Sequence, residues 1–170
     1  MMEALGRVNF RSVWYLDAVH QPSWPAGLPP ADWLLFVIAD HYDYEQLIRV
    51  AAECMKRQPA IVCSAGLCAV EADYVFDEEI VAQARAWEVR HGAAYNYEYG
   101  TQSTIHYDFD EGFWFATAKA QHARQSIHLI VCLDLSGRYK ERILELLQRI
   151  NDGWLPPAPD YDQGKTVRIM

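Results

Sequence analysis

Short apolar stretches alternate along this chain with segments of helical periodicity. The clearest apolar stretch, residues 33–39, reads "WLLFVIA" and ends directly before Asp40. A continuous apolar run of this length, rich in β-branched and aromatic side chains, is typical of a strand that is buried on both faces of a sheet. Along the whole chain, the pattern predicts strands at residues 33–39, 60–64, 103–108 and 127–134.

Between these stretches, apolar residues recur at spacings of three and four, as in amphipathic helices. Asp43 is placed to cap the first of these segments. Helices are predicted at about residues 43–57, 77–91 and 138–150. The predicted buried face of the first helix consists of Tyr44, Leu47, Ile48, Ala51, Cys54 and Met55, and that of the last of Tyr139, Ile143, Leu146, Leu147 and Ile150.

Strands that alternate with helices favour a parallel sheet built from right-handed crossover connections. We therefore predict a single α/β domain, a layered sandwich with a mainly parallel central sheet of four or more strands flanked by helices. Residues 1–30 are expected to form an N-terminal segment and a proline-rich loop, with a hint of extended structure at residues 8–19. The core is predicted at residues 31–152 and a C-terminal extension at residues 153–170.

The composition agrees with a folded domain. Of the 170 residues, 51% are hydrophobic and 13% are aromatic, which is enough to build a core and argues against disorder. No apolar run approaches the roughly 18 residues of a membrane span, and the N-terminus lacks the pattern of a secretory signal. These features predict a cytoplasmic protein that does not bind membranes.

The formal net charge is −8, and no cluster of Lys and Arg is visible in the sequence. Such a chain repels the phosphates of nucleic acids, so we expect no nucleic-acid partner. An acidic surface suits solubility, a divalent cation or a basic protein partner. The sequence signatures of phosphate-binding loops and of the nucleophile elbow of hydrolases are absent.

Acidic residues and a histidine follow the predicted strands. Ligands bind α/β sheets outside the carboxyl ends of the strands, and at that rim we expect Asp40, His106, Asp108 and Asp134. Carboxylates there can hold Mg²⁺, for which Asp40, Asp108 and Asp134 are the candidate ligands. The same rim offers His106, Asp108 and Asp134 as candidate catalytic residues. The competing interpretation is local, because Asp and Glu at helix N-termini cap the helix and interact with its dipole.

The order of several motifs is informative beyond their individual chemistry. The segments "IVCSAG", "EADYVFDEE", "TIHYDFDEGFWFA" and "HLIVCLDLSG" follow one another within residues 33–137. This series resembles an uncharacterised bacterial family of small α/β proteins that is classed as a domain of unknown function. The resemblance implies a bacterial origin and a cytosolic setting, and it brings no activity with it.

Two functions are compatible with these features. The first, which we favour, is a protein–protein interaction module without a cofactor, for example an immunity protein that neutralises a basic bacterial toxin. Acidic groups attract a basic partner, and Tyr and Trp are frequent binding anchors. The second is a metal-dependent hydrolase that uses Mg²⁺ at the acidic rim and acts on a phosphorylated small molecule. The candidate partner-binding residues are Tyr95, Tyr97, Tyr99, Asp108, Asp110, Glu111 and Trp154.

Overall fold

In the computed structural model, which describes residues 1–157, a six-stranded sheet forms the centre of the protein. Its strands are β1 (Glu3–Val8), β2 (Arg11–Asp17), β3 (Trp33–Ile38), β4 (Ile61–Ala65), β5 (Gln102–Ile105) and β6 (Leu129–Asp134). Their spatial order is β1-β2-β6-β3-β4-β5; the last five run parallel, and β1 pairs antiparallel with β2. The α/β class and a mainly parallel sheet with the four predicted strands are thus confirmed. The end of the predicted C-terminal extension, residues 158–170, lies outside the described residues.

Four α-helices connect and follow the strands within residues 1–157: α1 (Tyr44–Met55), α2 (Ala69–His91), α3 (Phe109–Trp114) and α4 (Lys140–Asn151). A π-helical turn, Phe115–Lys119, continues directly from α3. The three predicted helices are confirmed, but α2 begins at Ala69 rather than at residue 77. Its first turns bury Ala72, Val75 and Phe76 against the sheet, and this tertiary packing makes the segment helical.

The N-terminal segment adds two strands to the four that the apolar pattern predicts. β2 pairs in parallel with β6, from Ser12 opposite Leu129 to Asp17 opposite Asp134. β1 lies at the edge of the sheet, is mostly exposed, and contains a register shift between Ala4 and Gly6. Irregularities of this kind make an edge strand a poor template for pairing with another chain.

Both faces of the sheet are covered by apolar side chains from helices. In β3, residues alternate between two cores, with Phe36 on one side and Leu35 on the other. Phe36 packs against α3 through Phe113, with ring centroids 5.6 Å apart. Leu35 belongs to the core that α1 and α2 complete. This two-sided burial explains why the sequence of β3 is apolar without interruption.

A buried acidic side chain, Asp73 of α2, accepts a hydrogen bond from the Ser103 hydroxyl of β5 at 2.7 Å. Burial raises the pKa of Asp73, the Ser103 hydrogen bond opposes this shift, and the charge of Asp77 adds to it. Because the folded protein favours the neutral acid, Asp73 contributes stability below the unfolded-state pKa and loses it as pH rises through the folded-state pKa.

We expect Asp73→Asn to be more stable than the wild type at pH 7. The amide oxygen can still accept the hydrogen bond from Ser103, while the cost of burying a charge is removed. The expected gain is about 2–4 °C in the midpoint of thermal unfolding, or roughly 1 kcal/mol for a chain of this size. The difference should disappear near pH 3, where Asp73 is protonated in both states. Equal stability of the two proteins at pH 7 would contradict the assignment.

Candidate functional site

The topology creates a crevice at the carboxyl edge of the sheet, between β3 and β6. The chain runs from β3 outward to β4 and β5 and then returns to place β6 between β2 and β3. After β3 it continues into α1 on one face, and after β6 into α4 on the other face. In parallel α/β sheets, a crevice at such a reversal is the usual place for a ligand. Here it is flanked by Asp40 and Asp134, two of the acidic residues that the sequence analysis assigns to this rim.

Asp134 is completely buried, and each of its carboxylate oxygens accepts two hydrogen bonds. The Tyr15 hydroxyl and the Tyr139 backbone N–H donate to Oδ2, both at 2.8 Å. The Ser136 backbone N–H and hydroxyl donate to Oδ1 at 2.9 and 2.8 Å. Burial raises the pKa of Tyr15, and its hydrogen bond to Asp134 raises it further. Asp134 therefore organises the turn between β6 and α4 and has little capacity left for a ligand.

Asp40 is hydrogen-bonded to the same turn between β6 and α4. Its side chain is only 7% exposed. It accepts hydrogen bonds from the Tyr139 hydroxyl at 2.6 Å and from the Leu67 backbone N–H at 3.0 Å. The Arg138 Nη2 lies 3.4 Å from Asp40 Oδ2. Burial and the hydrogen bond to Asp40 raise the pKa of Tyr139 to about 12. Tyr139 thus connects Asp40 to Asp134, through its hydroxyl and its backbone N–H. The sequence assigned Tyr139 to an apolar stripe and missed this role.

An Asp–His pair, Asp17 and His20, lies at the carboxyl end of β2. The His20 Nδ1 is 2.6 Å from Asp17 Oδ2, and the His20 side chain is 71% exposed. Burial favours the neutral acid, but hydrogen bonds from the His20 ring and from the backbone outweigh it and lower the pKa of Asp17. Gly137 packs against the pair at a φ of +70°, a position where a Cβ would lie 3.1 Å from Asp17. No motif in the sequence signals this pair.

His106 lies at the end of β5, three strands away from β6. At the usual spacing of neighbouring strands this is about 14 Å. His106 Nε2 is 2.9 Å from the Thr104 hydroxyl oxygen, and its ring packs on Phe115 and against Gly112. Burial lowers the pKa of His106 to about 4. Within residues 1–157, no hydrogen bond or ion pair links His106 to Asp40 or Asp134, so the structure does not bring these candidates together.

Asp108 is the N-cap of α3. Its Oδ1 accepts from the Glu111 backbone N–H at 2.9 Å, and Asp43 caps α1 in the same way through Gln46. β5 ends at Ile105, so the strand does not continue to present His106 and Asp108 on one face. The local interpretation of these aspartates is therefore the one the geometry supports.

In the described part of the chain, no group of three or more His, Cys, Asp or Glu side chains is arranged to hold a metal ion. The proposed Mg²⁺ ligands Asp40, Asp108 and Asp134 accept hydrogen bonds from protein groups instead. Mg²⁺ requires nearly octahedral oxygen coordination, for which these oxygens would have to be released. The described geometry therefore gives the metal-dependent alternative no assembled ligand set.

The acidic and aromatic residues predicted to bind a partner lie in separate places. Asp110 is bound by its own chain, since Arg142 donates to it at 2.7 Å and Arg149 lies 3.4 Å away. Glu111 is exposed at the start of α3. Trp154 lies beyond α4, with the Arg149 guanidinium 4.5 Å from its ring centroid.

The three tyrosines of the loop after α2 lie far from these acids, near the amino edge of the sheet. Tyr97 and Tyr99 are each 48% exposed, whereas Tyr95 is half-buried. Tyr95 makes edge-to-face contacts with Trp87 and with Tyr97, at centroid distances of 5.5 and 5.1 Å. Tyr95 thus joins the exposed Tyr97 to Trp87 of α2 through ring contacts.

A different surface combines apolar and acidic side chains; we call it the α1–α2 patch. It consists of Tyr44, Ile48, Tyr74 and Val81 with Asp77 and Glu78. The sequence pattern placed Tyr44 and Ile48 on the buried face of α1, but they are 43% and 45% exposed. They lie at the margin of that face, beyond the reach of the sheet.

Several contacts join the members of the α1–α2 patch. Hydrogen bonding to Glu78 raises the pKa of Tyr74, and Tyr44 is close enough to add a small contribution. Tyr74, Asp77, Glu78 and Val81 also line a surface depression of about 410 Å³. A contiguous exposed patch of this kind is characteristic of interaction sites.

Acidic side chains outnumber basic ones at the patch: Asp77 and Glu78 line the depression together with one basic residue, Arg85. Residues 58–84 include five acidic side chains and no Lys, Arg or His. Of these five, only Asp73 is buried; in residues 1–157, no ion pair involves Glu71, Asp77, Glu78 or Glu79. The absence of basic residues over this range was visible in the sequence, but its coincidence with exposed aromatic side chains was not.

Comparison with known proteins gives a family but no characterised relative. A family model described as a domain of unknown function, DUF7684, matches residues 12–150. No curated protein and no solved structure shows a significant match. Among the helices of residues 1–157, none has the length and apolar character needed to cross a membrane.

Proposed function

The chain belongs to the family of the domain of unknown function DUF7684, and we propose that it is a non-enzymatic protein-binding domain. Its partner docks on the α1–α2 patch. We propose a basic protein as that partner, for example a toxin that this protein neutralises in a bacterial cytoplasm. The observation that carries the proposal is the position of Tyr74, exposed between α1 and a run of acidic side chains that form no ion pair within residues 1–157.

The physics of such a surface favours binding in two ways. Unpaired acidic groups attract a positively charged partner over a distance, which raises the association rate and makes it depend on salt. Exposed aromatic and aliphatic side chains supply area that is removed from water in the complex. Tyr44 and Tyr74 are attached to helices that pack on the sheet, so little conformational entropy is lost when they are covered.

The hydrogen bonds of the aspartates at the carboxyl edge favour a binding function over hydrolysis. Asp40 and Asp134 accept hydrogen bonds from several protein groups, and Asp108 caps a helix. A general base or a metal ligand needs a free lone pair aimed at the reacting group. At the α1–α2 patch, in contrast, Glu78 is exposed and is hydrogen-bonded to the Tyr74 hydroxyl, which belongs to a side chain that is itself exposed.

The test is binding of purified proteins encoded by the genes next to this one, measured by calorimetry at low and at high salt. We expect one of them to bind, with an affinity that falls as salt is added. Tyr74→Ala should weaken the complex about 10–30-fold, since a central aromatic anchor is lost. Glu78→Gln should mainly slow association and reduce the salt dependence.

Matched control variants are available on other surfaces. Tyr107 is 76% exposed between β5 and α3, and Glu145 is exposed on α4. Tyr107→Ala and Glu145→Gln should bind like the wild type. Tyr97→Ala tests the tyrosine-rich loop that the sequence predicts as an alternative docking surface. If no neighbouring gene product binds, and a divalent-metal-dependent phosphatase activity is lost in Asp108→Ala, the hydrolase is the better explanation.

A further inference from the structure

A cavity of about 370 Å³ lies at the amino edge of the sheet, on the side opposite to Asp40 and Asp134. It is formed by the second half of α2, the tyrosine-rich loop and the residues that precede β4 and β5. Its volume is in the range of about 300–1,000 Å³ that is usual for small-ligand sites. The side chains that carry the argument are Gln58, Gln83, Trp87, Tyr95, Asn96 and Tyr99.

The lining of this cavity carries no charge. Its twelve residues include no Asp, Glu, Lys, Arg or His, although 22% of the chain is charged. The Arg124 guanidinium lies over the Tyr99 ring but is not part of the lining, so a charged ligand would lose hydration without meeting a charged side chain in the cavity wall. The occupant is therefore expected to be an uncharged molecule.

Polar groups at the cavity have hydrogen-bonding capacity to spare. Asn96 uses its Oδ1 to accept from the Glu98 backbone N–H at 3.0 Å, and its side-chain NH₂ has no protein acceptor in residues 1–157. The Tyr95 and Tyr99 hydroxyls and the Gln58 carboxamide likewise have no protein partner in the described part of the chain. Phenols and carboxamides both donate and accept, as do the hydroxyl groups of a sugar.

The orientation of the aromatic rings argues against a flat ligand held between two rings. The planes of Trp87 and Tyr95 meet at 68°, and those of Tyr95 and Tyr97 at 88°. One face of Trp87 is already covered by His91, which stacks on it at 4.2 Å. The Tyr99 ring is likewise covered on one face, by the Arg124 guanidinium at 3.8 Å from its centroid. Rings that offer at most one face each suit a puckered ligand ring, whose C–H groups form an apolar side while its hydroxyls point outward.

The cavity is held in shape by hydrogen bonds that do not use its binding groups. Gln125 accepts from the Asp32 backbone N–H at 3.0 Å and donates to the Gln58 carbonyl at 3.2 Å. The Thr101 hydroxyl donates to the Pro59 carbonyl at 2.7 Å. Tyr95 lies so close to Gly100 that a side chain at that position would displace it. A preformed cavity avoids the entropic cost of ordering its walls on binding.

From the neutral lining, the unused phenols and carboxamides, and aromatic rings that can each offer at most one face, we propose that this cavity binds an uncharged saccharide of one or two rings. The site lies at the opposite edge from the carboxylates and shares no side chain with the α1–α2 patch. The saccharide proposal is therefore independent of the protein-binding function proposed above, and the failure of one does not contradict the other.

Titration of the isotope-labelled protein with neutral sugars, followed by nuclear magnetic resonance, tests the proposal. The probes are glucose, galactose, N-acetylglucosamine, maltose and cellobiose, each added to about 20 mM to detect dissociation constants of the order of 1 mM. At least one should shift the Trp87 indole N–H and the Asn96 side-chain resonances. No shift with any of the five overturns the proposal, as does binding of adenosine or a short proline-rich peptide in their place.

Variants separate the cavity from its surroundings. Trp87→Ala and Asn96→Ala should each weaken binding at least about tenfold. Asn96 is exposed in a loop, so this variant remains informative if Trp87→Ala fails to fold. Tyr107→Ala is the control, because Tyr107 is 76% exposed between β5 and α3 and does not line the cavity. Equal loss in Tyr107→Ala and Asn96→Ala, or unchanged binding in Asn96→Ala, overturns the assignment of the site.

Discussion

Asp134→Ala is expected to destabilise the protein by about 3–5 kcal/mol, a large part of the total stability of a domain this size. The wild-type carboxylate is buried and accepts four hydrogen bonds. Without it, the Tyr15 hydroxyl and the donors at Ser136 and Tyr139 stay buried and lose their acceptor. Chemical denaturation at pH 7, followed by circular dichroism, measures the loss.

A smaller effect is expected when an exposed aspartate with a single role is removed. Asp108→Ala eliminates only the cap of α3 and should cost about 1 kcal/mol. Asp134→Asn should fall between the two, because the amide keeps one acceptor but directs its NH₂ group at a donor. A loss below about 1 kcal/mol in Asp134→Ala would show that the turn between β6 and α4 does not depend on this carboxylate.

Acidification is expected to destabilise the protein through His106. Its folded-state pKa is about 4, against an ordinary value of 6.5, because burial disfavours the imidazolium ion. His106 contacts Thr104, Phe115 and Gly112. The side chains of Thr104 and Phe115 are uncharged, and Gly112 has no side chain. As pH falls from 6.5, the unfolded chain takes up a proton at this position and the folded protein does not. The full contribution is present above pH 6.5 and is lost as pH falls to about 4.

The difference between 6.5 and about 4 corresponds to about 3 kcal/mol of folding free energy. Urea denaturation at a series of pH values should show this decline on top of the contribution from carboxylates. In His106→Gln, which has no titrating group at this position, the decline should be shallower by about that amount. His41→Gln, at an exposed position, should follow the wild-type curve. If the free energy of unfolding depends on pH in the same way for wild type and His106→Gln, then protonating His106 costs the folded protein no stability.

Local patterns were sufficient to predict the class of fold. The apolar runs of β3 and β6, the periodicity of α1 and α4, and the cap at Asp43 depend on residues within a few positions of each other. Regular structure is periodic in sequence, so these elements can be recognised without their partners. The start of α2 was missed because its first turns depend on the core that they join.

At the carboxyl edge of the sheet, the sequence did not predict which side chains lie close together. The alternation of strands and helices places Asp40, His106 and Asp134 on one rim, but it does not give the order of the strands. Only the strand order shows that Asp40 and Asp134 follow neighbouring strands and that His106 lies three strands from β6. Hydrogen-bond partners were equally inaccessible. Tyr139 meets Asp40 across 99 residues, and Tyr15 meets Asp134 across 119.

The sequence by itself determined strands β3 to β6 and helices α1, α2 and α4, that the sheet is mainly parallel, and which acidic residues follow its strands. Only the tertiary structure decided how these acids are used: Asp134 is enclosed by donors, Asp110 is paired with its own arginines, and Glu78 is left open beside Tyr74. The physical reason is that the state of a carboxylate depends on burial and on donors brought from distant segments. Residue type and local spacing do not contain that information.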